Sequence, residues 1–189
     1  MQTFNFKRNN DSKELYVILS GIDGGLDDLL VKRISEKLEN SNNILTISFG
    51  LDLTKLTFND IFNSLNNSLA EVYENIKINN INFIGHSFSA LTVIYFVDRY
   101  FSMLKGKNIK LILLDRSFSR QIVDYMKTDQ KDIILDSNLL KYLEENNEEN
   151  IIQKLKEKDV KLKIIEADEI GTDHNFSNEK DVDNILKSS

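Results

Sequence analysis

Short apolar runs alternate with longer segments of helical periodicity along most of this chain. Four apolar runs of strand length are each followed by a glycine or a polar residue: Leu15–Leu19, Ile44–Phe49, Ile81–Ile84 and Ile109–Leu114. Between them, apolar residues recur at helical spacing in the segments Leu26–Leu38, Asn59–Ile76 and Ala90–Leu104. The runs are predominantly apolar rather than strictly alternating, as strands buried on both faces are. The pattern predicts an α/β architecture, in which an open, mostly parallel sheet carries helices on both faces.

The segment 116–159 interrupts this alternation. It is polar and largely helical, carries the acidic stretch Glu144–Glu149, and offers only Asp132–Leu135 as a short strand. We interpret 116–159 as a reduced helical cap, or lid insertion, within a single domain that spans residues 1–189. The alternation then resumes with three predicted elements: a strand at Val160–Ile165, a loop at Ala167–Ser177 and a closing helix at Glu179–Lys187.

Composition and charge exclude several classes of protein. Hydrophobic residues make up 41% of the 189 residues, which is enough for a buried core, and the formal net charge of −6 argues against nucleic-acid binding. The absence of cysteine rules out a disulfide scaffold, a thiolate zinc site and a cysteine nucleophile. The polar first ten residues lack the apolar core of a signal peptide, and no apolar run approaches the length of a membrane helix. We therefore predict a cytoplasmic protein that binds neither nucleic acid nor membrane.

The run Gly85-His86-Ser87-Phe88-Ser89 is the strongest chemical signal in the chain. It follows an apolar strand and precedes an apolar helix, which is the context of a nucleophile elbow, where a serine projects from a tight turn. Small residues are needed two positions on either side of that serine, and Gly85 and Ser89 satisfy this, although glycine is more usual at the second position. We predict Ser87 as a nucleophile; the alternative is that Ser87 and Ser89 only cap the helix.

A serine nucleophile needs a base, and the chain has only two histidines. His86 adjoins Ser87, so we expect its side chain to point away from the Ser87 hydroxyl and to pack or hydrogen-bond beneath the turn. His174 follows the last predicted strand, and the order of nucleophile first and histidine last fits the fold. We predict His174 as the base; the alternative is an exposed loop histidine in a polar tail.

A carboxylate must orient the base and stabilise its charged form. Asp115 directly follows the strand after the elbow helix, whereas Asp168, Glu169 and Asp173 lie close to His174 in sequence. A carboxylate so near the histidine could reach it only through a special loop shape. Asp115 is our choice and Asp168 the reserve; the alternative role of Asp115 is a turn residue or a helix N-cap.

Backbone N–H groups usually receive the negative charge that forms on the carbonyl oxygen during acyl transfer. One comes from the residue after the nucleophile, here Phe88, and the other from the loop after the first central strand. In that loop we favour Ile22, then Asp23. A nucleotide-binding loop is disfavoured because the glycine spacing and the Lys-Ser/Thr ending of such loops are missing.

These residues together resemble the thioesterase domains that end animal fatty-acid synthases, polyketide synthases and nonribosomal peptide synthetases, members of the α/β-hydrolase superfamily. The resemblance rests on four places: Gly21-Ile22-Asp23-Gly24, Gly85-His86-Ser87-Phe88-Ser89-Ala90, Leu111-Ile112-Leu113-Leu114-Asp115 and Asp173-His174. Many of these thioesterases carry their acid directly after the strand that follows the elbow helix, which matches Asp115.

The resemblance implies an α/β-hydrolase fold and a Ser87–His174–Asp115 triad, with the amides of Phe88 and Ile22 as the oxyanion hole. It implies an acyl thioester substrate, carried by the phosphopantetheine arm of a carrier protein or of coenzyme A, and no metal or other cofactor. Asp23, Phe118 and Phe176 are candidate substrate-lining residues, although the two phenylalanines fit an ordinary core equally well.

Other functions are compatible with the same residues. A carboxylesterase, an acyltransferase or a cyclase would use the same triad, because the pocket and its access to water set the acyl acceptor. A non-catalytic binding module with the same fold is the remaining alternative.

Overall fold

A computed structural model describes residues 3–21, 25–48, 58–116, 119–126 and 137–187 of the chain. The strands of this part are β1 (Thr3–Lys7), β2 (Glu14–Leu19), β3 (Asn43–Ser48), β4 (Asn80–His86), β5 (Asn108–Leu114) and β6 (Lys161–Ile165). Its α-helices are α1 (Leu29–Leu38), α2 (Phe58–Asn75), α3 (Phe88–Tyr100), α4 (Ser119–Met126), α5 (Ser137–Glu145), α6 (Glu148–Glu157) and α7 (Glu179–Leu186). A single 3₁₀ turn, Asp168–Ile170, follows β6.

The strands form one sheet in the order β1-β3-β2-β4-β5-β6. Strands β2 to β6 pair in parallel, and only β1 runs antiparallel, along β3 at the edge. Each parallel connection crosses over through a helical segment, as parallel pairing requires. The predicted open, mostly parallel sheet is therefore confirmed, and the carboxyl ends of β2, β4, β5 and β6 meet at one edge.

Strand β1 was missed by the sequence pattern. Its residues alternate between polar and aromatic side chains, and Phe4 is 44% exposed while Phe6 packs partly against the core. An edge strand covers the core with one face only, so it lacks the continuous apolar run that marks the buried strands.

Helices cover both faces of the sheet, as predicted. The larger apolar cluster lies beneath α2, α3 and α6, and the smaller one lies beneath α1 and α7. Helix α3 is buried over ten consecutive residues, Phe88–Val97, because it lies against the sheet on one side and under other helices on the other. This burial fixes the start of α3, and with it the turn that joins β4 to α3.

Helix α6 packs against α3 and contributes to the larger apolar cluster. Its Leu155 is fully buried in the larger cluster, and Lys158 at its end forms an ion pair with Asp98 of α3, with 3.2 Å between Nζ and Oδ1. The Tyr95 hydroxyl donates to the Asn146 carbonyl just before α6, at 2.8 Å. Helix α6 lies on the connection between β5 and β6, and the interpretation of 116–159 as a cap stays a prediction. The possible strand Asp132–Leu135 lies outside the described residues.

No helix in the described part of the chain combines the length and the apolar character that crossing a bilayer requires.

Gly85, the last residue but one of β4, is where α3 approaches the sheet most closely. A Cβ added at this position would lie 2.6 Å from the carbonyl oxygen of Ser89 and 2.7 Å from the Cα of Ala90. Both atoms belong to the backbone, so they cannot move aside without displacing the first turn of α3. The glycine predicted for the elbow is thus required by the contact between strand and helix.

We expect Gly85→Ala to destabilise the fold by about 3 kcal/mol, because the added methyl group overpacks the contact between β4 and α3. The midpoint of urea unfolding measures the effect. Gly25→Ala is a matched control, because the nearest atom to its added Cβ is 3.8 Å away. Equal midpoints for the two variants would contradict this account of Gly85.

Candidate active site

Ser87 lies at the turn between β4 and α3 in a strained backbone conformation. Its φ is 55° and its ψ is −122°, a region that costs a non-glycine residue about 1–3 kcal/mol. Such strain persists only where the surroundings enforce it, and here the Ser87 N–H donates to the Leu114 carbonyl at the end of β5, at 2.9 Å. Ser87 is half-buried while both of its neighbours, His86 and Phe88, are buried. This is the geometry of a nucleophile elbow.

Helix capping does not account for either serine of the motif. Ser87 occupies the N-cap position of α3, but its side chain makes no capping hydrogen bond. The Ser89 hydroxyl, which is fully buried, donates to the backbone carbonyl of Ser20 at the end of β2. Ser89 therefore joins the elbow helix to the start of the loop that follows β2, which gives a structural role to the residue that stands where glycine is usual.

Of the two predicted oxyanion amides, only that of Phe88 lies within the described residues. Phe88 is the first residue of α3, so its N–H lies at the positive end of the helix dipole. Ile22 and Asp23, which the sequence places in the loop after β2, lie outside the described residues, and so does Phe118.

Asp115 connects the ends of β5 and β6. Its N–H donates to the Ile165 carbonyl at 2.8 Å, its Oδ1 accepts from the Ala167 N–H at 3.1 Å, and its Oδ2 accepts from Nδ1 of His174. The residue adopts a positive φ of 40°, which turns the chain away from the sheet. Asp115 is thus a residue of the turn and also the partner of His174.

The pKa of Asp115 is lowered from its ordinary value. Burial alone would raise it, but the hydrogen bonds from His174 and from the Ala167 N–H stabilise the charged form more strongly. Asp115 is therefore a carboxylate at neutral pH and can only accept hydrogen bonds. It follows that Nδ1 of His174 carries the proton of this hydrogen bond.

The carboxylates nearer to His174 in sequence have other roles. Oδ1 of Asp173 accepts from the N–H groups of Asn175 at 2.9 Å and Ser177 at 3.3 Å, which shapes the loop around His174. Asp168 is exposed in the 3₁₀ turn, where its carbonyl accepts from the Gly171 N–H. The structure therefore pairs His174 with Asp115, and the reserve residue Asp168 is not the partner of Nδ1.

His86 lies beneath the turn, as its place beside Ser87 predicts. Its Nε2 lies 2.7 Å from the His174 carbonyl, and the centroids of the two imidazole rings are 4.8 Å apart. Burial lowers the pKa of His86, although its hydrogen bond to the His174 backbone opposes that effect, so the ring is neutral at neutral pH. The loop that carries His174 is thereby held against the elbow that carries Ser87.

Phe176 is fully buried and meets the His86 ring edge-on, with 5.9 Å between centroids. It lies in the smaller apolar cluster together with residues of α1 and α7. Of the two locations that the sequence left open for Phe176, the structure places it in the core below the site.

An open depression of about 670 Å³ lies beside the Asp115–His174 pair. Most of the side chains that line it are polar: Asp115, Arg116, Gln121, Glu166, Asp168 and His174. Arg116 forms ion pairs with Glu166 at 3.3 Å and with Glu149 of α6 at 3.0 Å, so it braces the wall of the depression. Within the described residues, no group of three or more His, Asp or Glu side chains could hold a metal ion.

The overall structure is similar to several solved structures. Est1E from Butyrivibrio proteoclasticus matches with a TM-score of 0.67 at 14% identity, covering 99% of this chain and 91% of that one. Alpha/beta hydrolase domain-containing protein 10 from mouse matches with a TM-score of 0.63 at 7% identity, with the same coverage. An esterase from a marine microorganism matches with a TM-score of 0.57 at 16% identity, covering 99% of this chain and 97% of that one.

No protein-family model matches the sequence, and no curated protein matches it. The similarity of structure establishes the fold, and the chain has the α/β-hydrolase fold that the sequence predicted. The thioesterase branch of that fold stays a prediction.

The Asp115–His174 pairing has a direct spectroscopic test. A proton on Nδ1 that is hydrogen-bonded to a carboxylate is protected from exchange and resonates far downfield. We expect this signal in the wild-type protein, its loss in Asp115→Asn, and its retention in Asp168→Asn, as measured by proton NMR with ¹⁵N-labelled histidine. A signal that survives in Asp115→Asn and disappears in Asp168→Asn would reverse the assignment of the partner.

Proposed function

We propose that the protein is a serine hydrolase that cleaves acyl ester or thioester bonds through Ser87, His174 and Asp115. One set of contacts supports this proposal above all. The Ser87 N–H bonds to the residue before Asp115, Asp115 bonds to His174, and His86, which precedes Ser87, bonds to the His174 backbone. Three residues that are distant in sequence are thereby linked at the edge where the strands of an open α/β sheet end, which is where such sheets bind ligands.

Each residue has one role in the proposed reaction. The Ser87 hydroxyl attacks the acyl carbonyl carbon and gives its proton to Nε2 of His174, while Asp115 holds Nδ1–H and stabilises the imidazolium. The oxyanion accepts hydrogen bonds from the amides of Phe88 and Ile22. The thiol or alcohol leaves with the proton of His174, and water, activated by the same histidine, then hydrolyses the acyl-enzyme and restores the Ser87 hydroxyl.

A thioester is the first candidate for the substrate. The position of Asp115, directly after the strand that follows the elbow helix, is the feature shared with the thioesterase domains that the sequence resembles. The proposal extends to a carrier: the thiol would be the phosphopantetheine arm of a carrier protein or of coenzyme A. The cytoplasmic location inferred from the sequence belongs to the same proposal.

An oxygen ester is the second candidate, favoured by the names of the similar structures. One of them is called a marine microorganism esterase, and Est1E has also been solved with ferulic acid bound. Both candidates use the same residues, because the tetrahedral intermediate differs only in its leaving group.

Labelling with a fluorophosphonate probe tests the nucleophile. We expect the wild-type protein to be labelled and Ser87→Ala to remain unlabelled, because the probe reacts only with an activated hydroxyl. Ser89→Ala is the matched control from the same motif and should still be labelled. Asp115→Asn should be labelled about 10⁴-fold more slowly, since the imidazole loses its orienting carboxylate. An unlabelled wild-type protein, or a Ser87→Ala variant labelled like wild type, would defeat the proposal of a serine hydrolase.

The choice between thioester and oxygen ester is tested with a matched pair of substrates. Thioesters of N-acetylcysteamine and esters of N-acetylethanolamine with the same acyl chain differ only in one sulfur or oxygen atom. We expect kcat/KM for the thioester to exceed that for the ester by about tenfold or more, after each value is divided by its uncatalysed rate. A preference of the same size for the oxygen ester would make the protein a carboxylesterase, and it would not contradict the proposed triad.

A further inference from the structure

His86 contributes a hydrogen bond that the chemistry of acyl transfer does not itself require. His86 directly precedes the proposed nucleophile and is only 6% exposed. Its Nε2 lies 2.7 Å from the backbone carbonyl of the proposed base. The ring also lies against the His174 ring and the edge of Phe176. A histidine on the buried side of the elbow thus contacts both the backbone and the side chain of His174.

We propose that His86 is a positioning residue, which holds the base loop against the nucleophile elbow by donating a hydrogen bond from Nε2 to the His174 carbonyl. The inference rests on the proposed function, because positioning has a catalytic consequence only if Ser87 and His174 react together. It adds a residue that the triad and the oxyanion hole do not include.

The direction of the hydrogen bond follows from the acceptor. A backbone carbonyl can only accept, so Nε2 of His86 must carry a proton. Its Nδ1 is buried and has no hydrogen-bond partner within the described part of the chain, so a second proton there would be a buried donor without an acceptor. The neutral ring with Nε2–H is the form that suits this site, and the lowered pKa of His86 agrees with it.

Charged and titratable groups surround His86 from several elements. Asp115 after β5 and Asp28 before α1 favour its protonation through their charge, whereas the positive form of His174 opposes it. Burial outweighs these influences and keeps the ring neutral, and the His174 carbonyl, which can only accept, places the single proton on Nε2.

His174 is consequently held at two points. The bond to Asp115 fixes its ring through Nδ1, and the bond from His86 fixes its backbone through the carbonyl. The His174 side chain is 52% exposed, so surrounding packing restrains the imidazole only in part. With one point alone, the loop could swing while the ring stayed bonded to Asp115, and the approach of Nε2 to Ser87 that the proposed reaction requires would be lost. A displacement of about 1 Å is enough to slow a reaction by about 10²-fold.

Two substitutions with amide side chains test this positioning role, because the amide nitrogen of each one corresponds to a different ring nitrogen of His86. The amide nitrogen of glutamine reaches about as far from the backbone as Nε2 of histidine, whereas that of asparagine reaches only to Nδ1. We expect His86→Gln to keep kcat within about fivefold of wild type, and His86→Asn and His86→Phe to lower kcat by about 10²-fold with little change in KM. Thermal unfolding of all three variants shows whether any loss follows stability instead.

Hydrogen exchange in residues 171–177 gives a second measurement that needs no activity. We expect faster exchange in His86→Asn and His86→Phe than in wild type and His86→Gln, because the loop is released only when the donor is lost. If wild type is not labelled by a fluorophosphonate, the proposed function fails, and the exchange data still decide whether His86 holds the loop. If wild type is labelled, and His86→Gln is as impaired as His86→Asn at equal stability, or neither is impaired, His86 is not a positioning residue.

Discussion

The hydrogen bond from the Ser87 N–H to the Leu114 carbonyl is the contact on which the rest of the site depends. It joins the turn after β4 to the last residue of β5 at 2.9 Å, and it does so with Ser87 in a backbone conformation that a side chain normally avoids. The strain can persist because α3 is buried along its first ten residues and because Gly85 lets that helix approach the strand closely. Burial of the elbow helix thus provides the free energy that keeps the turn strained.

The next contacts follow from that one. Since Leu114 is fixed beside the elbow, Asp115 is the first residue beyond β5, and its positive φ turns its carboxylate toward the loop after β6. There it accepts from the Ala167 N–H and from His174, which ties the loop to the strand ends. His86 closes the ring of contacts from below. The half-exposed His174 is therefore oriented mainly by hydrogen bonds, while the buried turn is held by packing.

Much of the fold and part of the site were predictable, and each success has an identifiable cause. The parallel strands were predictable because burial on both faces demands continuous apolar runs, and α3 because its apolar residues extend around the whole helix. The elbow was predictable because its geometry favours small residues two positions on either side of Ser87, where the chain has Gly85 and Ser89. Strand β1 escaped because an edge strand buries one face only. A helix that packs on the sheet and a helix of a lid both show one apolar stripe, so the sequence does not say which surface α6 covers.

The sequence by itself determined the fold, the elbow and the short list of candidates for base and acid, since these depend on local periodicity and on how few residues carry the right chemistry. Only the tertiary structure decided which carboxylate meets His174, because Asp115 and Asp168 differ not in chemistry but in where β5 and β6 end. It likewise assigned the buried hydroxyl of Ser89 to the Ser20 carbonyl and the ring of His86 to the His174 carbonyl. A hydrogen bond between residues 69 or 88 positions apart leaves no local pattern in a sequence, because its geometry exists only once the strands have paired.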